Sequence, residues 1–285
     1  MSKSVKEHVK STKNIHAERR DSTASEFISK VPLQASTPMA HFNYLKKIES
    51  LIEMGRRPKD IAEFVYHVSE AGKCGDTEFY RVALNYTLSK RDFDSAEDIC
   101  QSAVIAHVND ETLYLRAMEV MLTPMAFVAS VGTNNSIKYS SAENACRILG
   151  SIALHTLSQP SEKKIDVPNT FVLAIDRVWE HGVHDERRTE DRIDRVIEIY
   201  KNALDAEIDP SMGYDLFERV HNMILENGSA SKDQKVDQLF EVTAKTIRSK
   251  VSHTMLFTKV MEFLEANDAR NLRRTLRNLL TVHKK

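Results

Sequence analysis

Apolar residues recur at the spacing of an α-helix along nearly the whole chain from Pro38 onward. Phe79, Val82 and Tyr86 stand at positions i, i+3 and i+7, on one face of a helix. The same spacing recurs in other segments, at Ile61/Phe64/Val65/Val68, Ala96/Ile99/Cys100/Ala103, Ile193/Val196/Ile197/Tyr200/Leu204 and Val236/Leu239/Phe240/Ile247. The chain has only 8 glycines and 7 prolines in 285 residues, too few for the turns of a many-stranded sheet. The pattern predicts an all-α fold of about twelve helices.

Polar residues mark where several of these helices begin and end. Asp94 and Glu97 have the spacing of a capping box, so we expect a helix to begin at Asp94. Asp209-Pro210 places an N-cap residue before a proline at the first helical position, and Asn227-Gly228 supplies a stop signal. A turn between two short helices is expected at residues 90–92.

An internal period of helical-hairpin length runs through the first half of the chain. Tyr44, Tyr80 and Tyr114 are separated by 36 and 34 residues, and each lies early in a predicted helix. Gly55 and Arg91 each follow one of these tyrosines by 11 residues and fall at the expected inter-helix turns. The segment 123–137 interrupts this rhythm. The period predicts an array of helical hairpins.

The segments Thr77–Glu111 and Ile199–Gly228 resemble the pentatricopeptide and tetratricopeptide group of helical repeats. The resemblance is degenerate and covers about half of residues 38–230. It implies a right-handed α-solenoid of antiparallel helix pairs over 38–285, with 232–285 as a C-terminal cap that closes the apolar end of the stack. An irregular helical bundle or another type of α-solenoid is the alternative.

Pentatricopeptide proteins read single-stranded RNA through polar side chains near the start of the first helix of each repeat. The resemblance places Val82 and Leu216 at the base-reading position of the two segments. Neither side chain can form a hydrogen bond to a base edge. The array is therefore expected to bind protein, as a non-enzymatic scaffold within a larger complex that holds a peptide or helix from a partner. The alternative is an RNA-associated protein that contacts RNA through the repeat groove or the basic C-terminal helix.

The strongest basic element is the last predicted helix, Asp268–Lys285. Its leucines form an apolar stripe, and its arginines lie mostly off that stripe: Leu272, Leu276, Leu279 and Leu280, with Arg270, Arg273, Arg274 and Arg277. One interpretation is a terminal helix that docks by its leucines and leaves a solvated basic face. The others are a surface that contacts phosphate, as in an RNA-associated protein, and a helix that binds a protein partner.

The N-terminal residues 1–37 are rich in Ser, Lys, Thr and Glu and have few apolar residues, so we expect a flexible tail. Seven Lys/Arg accompany four Asp/Glu in the first thirty residues, which leaves a mitochondrial presequence as an alternative. The three cysteines form neither a C-x-x-C pair nor a zinc-ribbon pattern. With no apolar run of bilayer-spanning length, we expect a cytoplasmic or nuclear protein without membrane contact.

Two further clusters of polar or aromatic residues are candidates for sites. The segment His181–Arg192 mixes histidines with carboxylates, but Gly182 argues against one helix through both histidines, so a solvated loop is favoured over a metal site. Trp179 is expected to anchor the core with Phe171 and Ile175. The sequence has no glycine-rich phosphate loop and no nucleophile-elbow motif, and no cofactor is expected.

Overall fold

The computed structural model describes residues 38–72, 76–123, 136–159, 164–181, 189–249, 251 and 254–283. Over these residues it contains twelve α-helices and no β-strand, which confirms the predicted helical class. The helices are α1 Pro38–Glu53, α2 Pro58–Glu70, α3 Thr77–Ser89, α4 Phe93–Ile105, α5 Glu111–Met121, α6 Ser136–Ser158, α7 Pro168–His181, α8 Thr189–Asp205, α9 Pro210–Glu226, α10 Lys232–Arg248, α11 Thr254–Ala266 and α12 Arg270–His283.

Short acceptor side chains begin several of these helices. Each accepts a hydrogen bond from a backbone N–H of the first turn, which has no partner inside the helix: Asp76 for α3, Asp92 for α4, Asp110 for α5, Asp209 for α9 and Ser231 for α10. The predicted start at Asp209-Pro210 is confirmed, as is the end of α9 at Asn227.

The predicted capping box at Asp94 and Glu97 is wrong. Asp92 caps α4, by accepting a hydrogen bond of 3.0 Å from the backbone N–H of Ser95. Glu97 is buried and accepts hydrogen bonds from Arg147 on α6, so its carboxylate does not reach back to the start of α4.

Two residues beyond the end of four of the described helices stands a residue other than glycine whose backbone is in the left-handed region. The φ angles are 56° at Arg91, 58° at His107, 52° at Glu207 and 56° at Asp268. After Arg91, for example, the N–H of Asp92 bonds to the carbonyl of Thr87 at 3.1 Å, which is the six-to-one bond of a Schellman motif. This geometry stops each helix sharply and confirms the expected turn at residues 90–92.

The helices contact one another in two rows. In the odd row of described helices, α1 packs against α3, α3 against α5, α5 against α7 and α7 against α9. In the even row, α2, α4, α6, α8, α10 and α12 do the same, and consecutive helices join the two rows. Among the described helices, every substantial contact therefore links helices no more than two positions apart in the numbering used here. The all-helical architecture is compatible with an α-solenoid.

An aromatic side chain occupies the fourth position of three successive odd-row helices. Tyr80, Tyr114 and Phe171 hold this position in α3, α5 and α7, and all three are fully buried. The Tyr80 hydroxyl lies 2.7 Å from that of Ser69, and the Tyr114 hydroxyl donates to the carbonyl of Val108 at 3.0 Å. Burial raises the pKa of Tyr114 well above its usual value, so this phenol remains a donor. Tyr80 and Tyr114 therefore pack in the core, each with its hydroxyl hydrogen-bonded to the neighbouring structure.

The tyrosine register does not extend to α9. Gly213 occupies the fourth position there, while Tyr214 is only half buried and donates to Glu218 at 3.0 Å. Leu216, which the resemblance placed at a base-reading position, is 1% exposed and lies in the core. The second segment is therefore offset by one residue from the first.

Several sequence-based boundaries fall outside the described residues. The predicted tail at 1–37 and most of the interrupting segment 123–137 are not described. The predicted cap 232–285 corresponds to α10–α12, and its role as a cap stays a prediction. None of the helices in the described ranges has the length and apolarity needed to cross a membrane.

Gly213 allows α9 to lie close to Val251, three residues beyond the end of α10. A Cβ built on Gly213 would lie 2.8 Å from Cγ2 of Val251, which is 4% exposed. Gly228, at the other end of α9, has no neighbouring heavy atom within 4 Å of the corresponding position.

We therefore expect Gly213→Ala to lower the free energy of unfolding by roughly 1–3 kcal/mol, because the added methyl group overpacks a closed contact. Gly228→Ala is the matched control and should change it by less than about 0.5 kcal/mol. Adding Val251→Ala to Gly213→Ala should recover part of the loss in chemical denaturation. Equal effects of the two glycine substitutions would contradict the close contact.

Candidate functional site

The last helix docks on the array by its leucines, as one of the three interpretations requires. Leu276 is fully buried, while Leu272, Leu279 and Leu280 are half buried. The helix packs against α10 and α11. The absence of acidic residues from Arg270–His283 leaves the opposite face positively charged.

The predicted arginines divide into one engaged and three exposed side chains. Arg273 is half buried and lies 2.7 Å from Glu265 of α11. Arg270, Arg274 and Arg277 are exposed, at i, i+4 and i+7, so they follow one line along the helix; we call them the arginine stripe. Arg270 has a weak contact of 3.6 Å with Asp268.

The charge of the arginine stripe is only partly compensated. The hydrogen bond from Arg273, with a further contribution from the charge of Arg277, lowers the pKa of Glu265, which therefore stays ionised. Arg274 and Arg277 form no ion pair with any residue that the structure describes. Arg274 and Arg277 can therefore bind an anion without first losing an existing ion pair.

Half-buried apolar side chains concentrate on the odd row. They contact the core and still reach solvent: Val82 and Tyr86 on α3, Val120 on α5, Val172, Leu173 and Trp179 on α7, and Met212, Tyr214 and Leu225 on α9. We call this set the odd-row surface. Its mixture of aliphatic, aromatic and methionine side chains resembles the composition of protein interfaces.

Hydrogen bonds and ion pairs join each odd-numbered helix from α3 to α9 to the next odd-numbered helix, beside the odd-row surface. Arg81 of α3 lies 2.9 Å from Asp110, the N-cap of α5. The Glu111 carboxylate of α5 accepts from the backbone N–H of Asn169 at 2.6 Å, at the start of α7. Further along, Asp176 pairs with Arg219 at 2.7 Å and Glu218 with Lys259 at 3.0 Å. These links join α3 to α5, α5 to α7, α7 to α9 and α9 to α11.

The exposed positions of the central even-row helices, α4, α6 and α8, are mostly charged. They include Asp94, Glu143, Arg147, Asp194 and Glu198, and the exposed apolar exceptions, Ile105 and Leu157, lie at helix ends. Exposed positions of the odd row, such as Arg116, Asp215 and Arg219, are charged as well, so the two rows differ in how many of their half-buried side chains are apolar.

A buried carboxylate ties α4 to α6 within the even row. Glu97 is 7% exposed, and its two carboxylate oxygens share the single Nε–H of Arg147, at 2.8 and 2.9 Å, while Gln101 donates a further hydrogen bond at 2.7 Å. Asn144, also buried, bonds to both Asp94 and Arg147. Burial raises the pKa of Glu97 above its usual value, and the hydrogen bond and charge of Arg147 offset this only in part.

Trp179 lies at the edge of the core. Phe171 and Ile175 are fully buried, as predicted, but Trp179 is half buried. The guanidinium of Arg192 stacks over its indole ring at 4.7 Å and donates to its backbone carbonyl at 3.0 Å. Trp179 is therefore held in place between the core and α8.

The segment His181–Arg192, where a solvated loop is predicted rather than a metal site, lies mostly outside the described residues. Within the described ranges, no three His, Cys, Asp or Glu side chains converge as a metal site. Cys100 and Cys146 are buried free thiols, and Cys74 is not described. Sequence reasoning missed the Glu97–Arg147 pair, because its partners are 50 residues apart and share no local motif.

Comparison of the chain with protein-family models and with curated proteins finds no match. The similarity to pentatricopeptide and tetratricopeptide repeats therefore remains a resemblance.

The raised pKa of Glu97 gives a prediction for stability against pH. Because the folded-state pKa exceeds the unfolded-state pKa, the folded protein binds more protons between the two values. The contribution of Glu97 to the free energy of unfolding is therefore greatest below the unfolded-state pKa and declines as the pH rises through the folded-state pKa. The stability of wild type minus that of Glu97→Gln should fall from acidic to neutral pH in urea denaturation.

The matched control is Glu119→Gln, which removes an exposed carboxylate paired with Arg116 inside α5. Because exposed ion pairs contribute little to stability, the free energies of unfolding of wild type and this variant should differ by less than about 1 kcal/mol over the same pH range. If the Glu97 difference instead grew with pH, the attraction of Arg147 would outweigh the cost of burial.

Proposed function

We propose that the chain is a right-handed α-solenoid of antiparallel helix pairs that acts as a non-enzymatic scaffold for a protein partner, in the cytoplasm or nucleus. The observation that carries this proposal is the odd-row surface, an extended series of half-buried apolar side chains on successive helices. The next-but-one contacts of the two rows support the solenoid.

The physical advantage of such a surface is that its ordering cost is met during folding. Side chains such as Tyr86 and Trp179 already have fixed neighbours, through a hydrogen bond of 2.5 Å to the Arg56 carbonyl and through Arg192, respectively. Binding then immobilises few additional groups, so more of the interaction energy appears as affinity.

The chemistry of the odd-row surface favours an amphipathic helix or extended peptide as the ligand. Its apolar anchors would contact side chains such as Val172, Leu173 and Met212. Charges of both signs border these positions, at Asp176 and Arg219 for example, so the partner segment should carry mixed charge at the rim of its apolar anchors.

A photo-crosslinking amino acid placed at Val172 on α7 tests this proposal. In native extract treated with ribonuclease, it should crosslink to a protein partner, because this position lies in the odd-row surface. The matched control is the same amino acid at Ala142 on α6, which is also half buried but belongs to the even row. Equal crosslinking from both positions, or from neither, would argue against a partner on this surface.

A second function is favoured by the arginine stripe. In this alternative, Arg270, Arg274 and Arg277 contact the phosphates of RNA without sequence preference, within a larger ribonucleoprotein. The uncompensated charge of Arg274 and Arg277 supports it, whereas Arg273 is already engaged by Glu265.

The double variant Arg274→Ala/Arg277→Ala tests the RNA alternative. If both side chains neutralise phosphates, the slope of log affinity against log salt for single-stranded RNA should become shallower by about 1.4. The control Arg116→Ala/Arg177→Ala removes two arginines that are paired within their own helices, so its slope should stay unchanged. An unchanged slope in the α12 variant would exclude the stripe as the RNA contact.

A further inference from the structure

The side chains of two histidines, His107 and His155, are in contact between the C-terminal ends of α4 and α6. His107 follows the end of α4, and His155 lies in the last turn of α6. Nδ1 of His107 and Nε2 of His155 are 2.9 Å apart, and the ring centroids are 4.7 Å apart with the rings tilted by 51°. Both side chains are half buried, so water and small ions can still reach them.

The backbone around His107 is firmly placed. Its N–H donates to the carbonyl of Val104 at 3.1 Å, and the N–H of Val108 donates to Ala103 at 2.9 Å. Val108 is 3% exposed, and its carbonyl accepts from the hydroxyl of Tyr114. His155 is carried by α6, which packs along α4. Both imidazoles therefore extend from rigid parts of the fold.

The separation of the two nitrogens matches a particular metal geometry. Two nitrogens bound to one metal at about 2.0–2.1 Å and at a right angle stand roughly 2.8–3.0 Å apart, as in tetragonal Cu²⁺ or Ni²⁺ sites. The tetrahedral angle of a zinc site would require roughly 3.3 Å. The observed 2.9 Å is the length of an ordinary hydrogen bond between the two rings, and it equals the right-angled separation, so a shared metal requires each ring to turn without moving the nitrogens apart.

We propose that His107 and His155 form a binding site for a divalent late transition metal of tetragonal geometry, with Ni²⁺ as the probe. In the neutral hydrogen-bonded pair, one of the two facing nitrogens carries a proton. On binding, that proton moves through solvent to the remote nitrogen of the same ring, so both facing nitrogens offer a lone pair and no net proton is released. Water or a group from a partner fills the remaining positions.

A metal at this site would join α4 to α6 in the folded state. Because the two histidines are 48 residues apart, the unfolded chain does not hold them together. Binding should therefore raise the melting temperature in proportion to the logarithm of metal concentration above the dissociation constant. This inference is independent of the proposed scaffold function.

The experiment is a Ni²⁺ titration of tag-free, full-length protein at near-neutral pH, in competition with a chromophoric chelator. Wild type should show a site whose affinity falls at least about tenfold in both His107→Asn and His155→Gln. Asn tolerates the left-handed backbone at residue 107, and Gln suits a helix, so both variants should fold. Melting curves without metal verify this.

His67→Gln is the matched control, since this histidine of α2 lies beside Glu63 and far along the chain from the pair. It should retain the wild-type affinity and the metal-dependent rise in melting temperature. Equal Ni²⁺ affinity in wild type, His107→Asn and His155→Gln would overturn the proposal. So would a metal-dependent stabilisation that persists in both variants.

Discussion

The packing of each helix against its next-but-one neighbour is the interaction on which the rest of this structure depends. A single amphipathic helix of about thirteen residues has little stability in water, because one apolar stripe must find a partner. Here the apolar stripe of a helix is covered by consecutive helices from the other row together with neighbours in its own row. Helix α4 shows the result, since Ala96, Ile99, Cys100 and Ala103 are all fully buried.

Charged side chains form ion pairs between the packed helices, some at the surface and some in the interface. On the odd row, pairs such as Arg81–Asp110 lie at the surface, where each contributes little energy but fixes how neighbouring helices align. On the even row, Glu97 is drawn into the interface, and Arg147 compensates for only part of the cost of its burial. Ion pairs of similar appearance thus have different energetic consequences in the two rows.

The helices and many of their ends could be predicted from sequence, because helical periodicity and N-caps such as Asp209 are local signals. The docking of α12 by Leu272 and Leu276 followed from the same periodicity. Predictions failed where a distant residue competed with a local one. Glu97 has the spacing of a capping residue, but Arg147 engages it from another helix. The one-residue offset at Gly213, and the meeting of His107 with His155, depend on packing that no local pattern encodes.

The limit of two helices on every substantial contact has a kinetic consequence. Because the substantial contacts of the described helices stop at the next-but-one helix, folding avoids the closure of the longest loops, which favours fast folding. Structure can then start at any neighbouring pair of helices and grow outward in both directions. Among the helices that the structure describes, α1 and α12 are the outermost and have a described neighbour along the chain on one side alone, so we expect them to exchange their amide protons before α4 and α6 do.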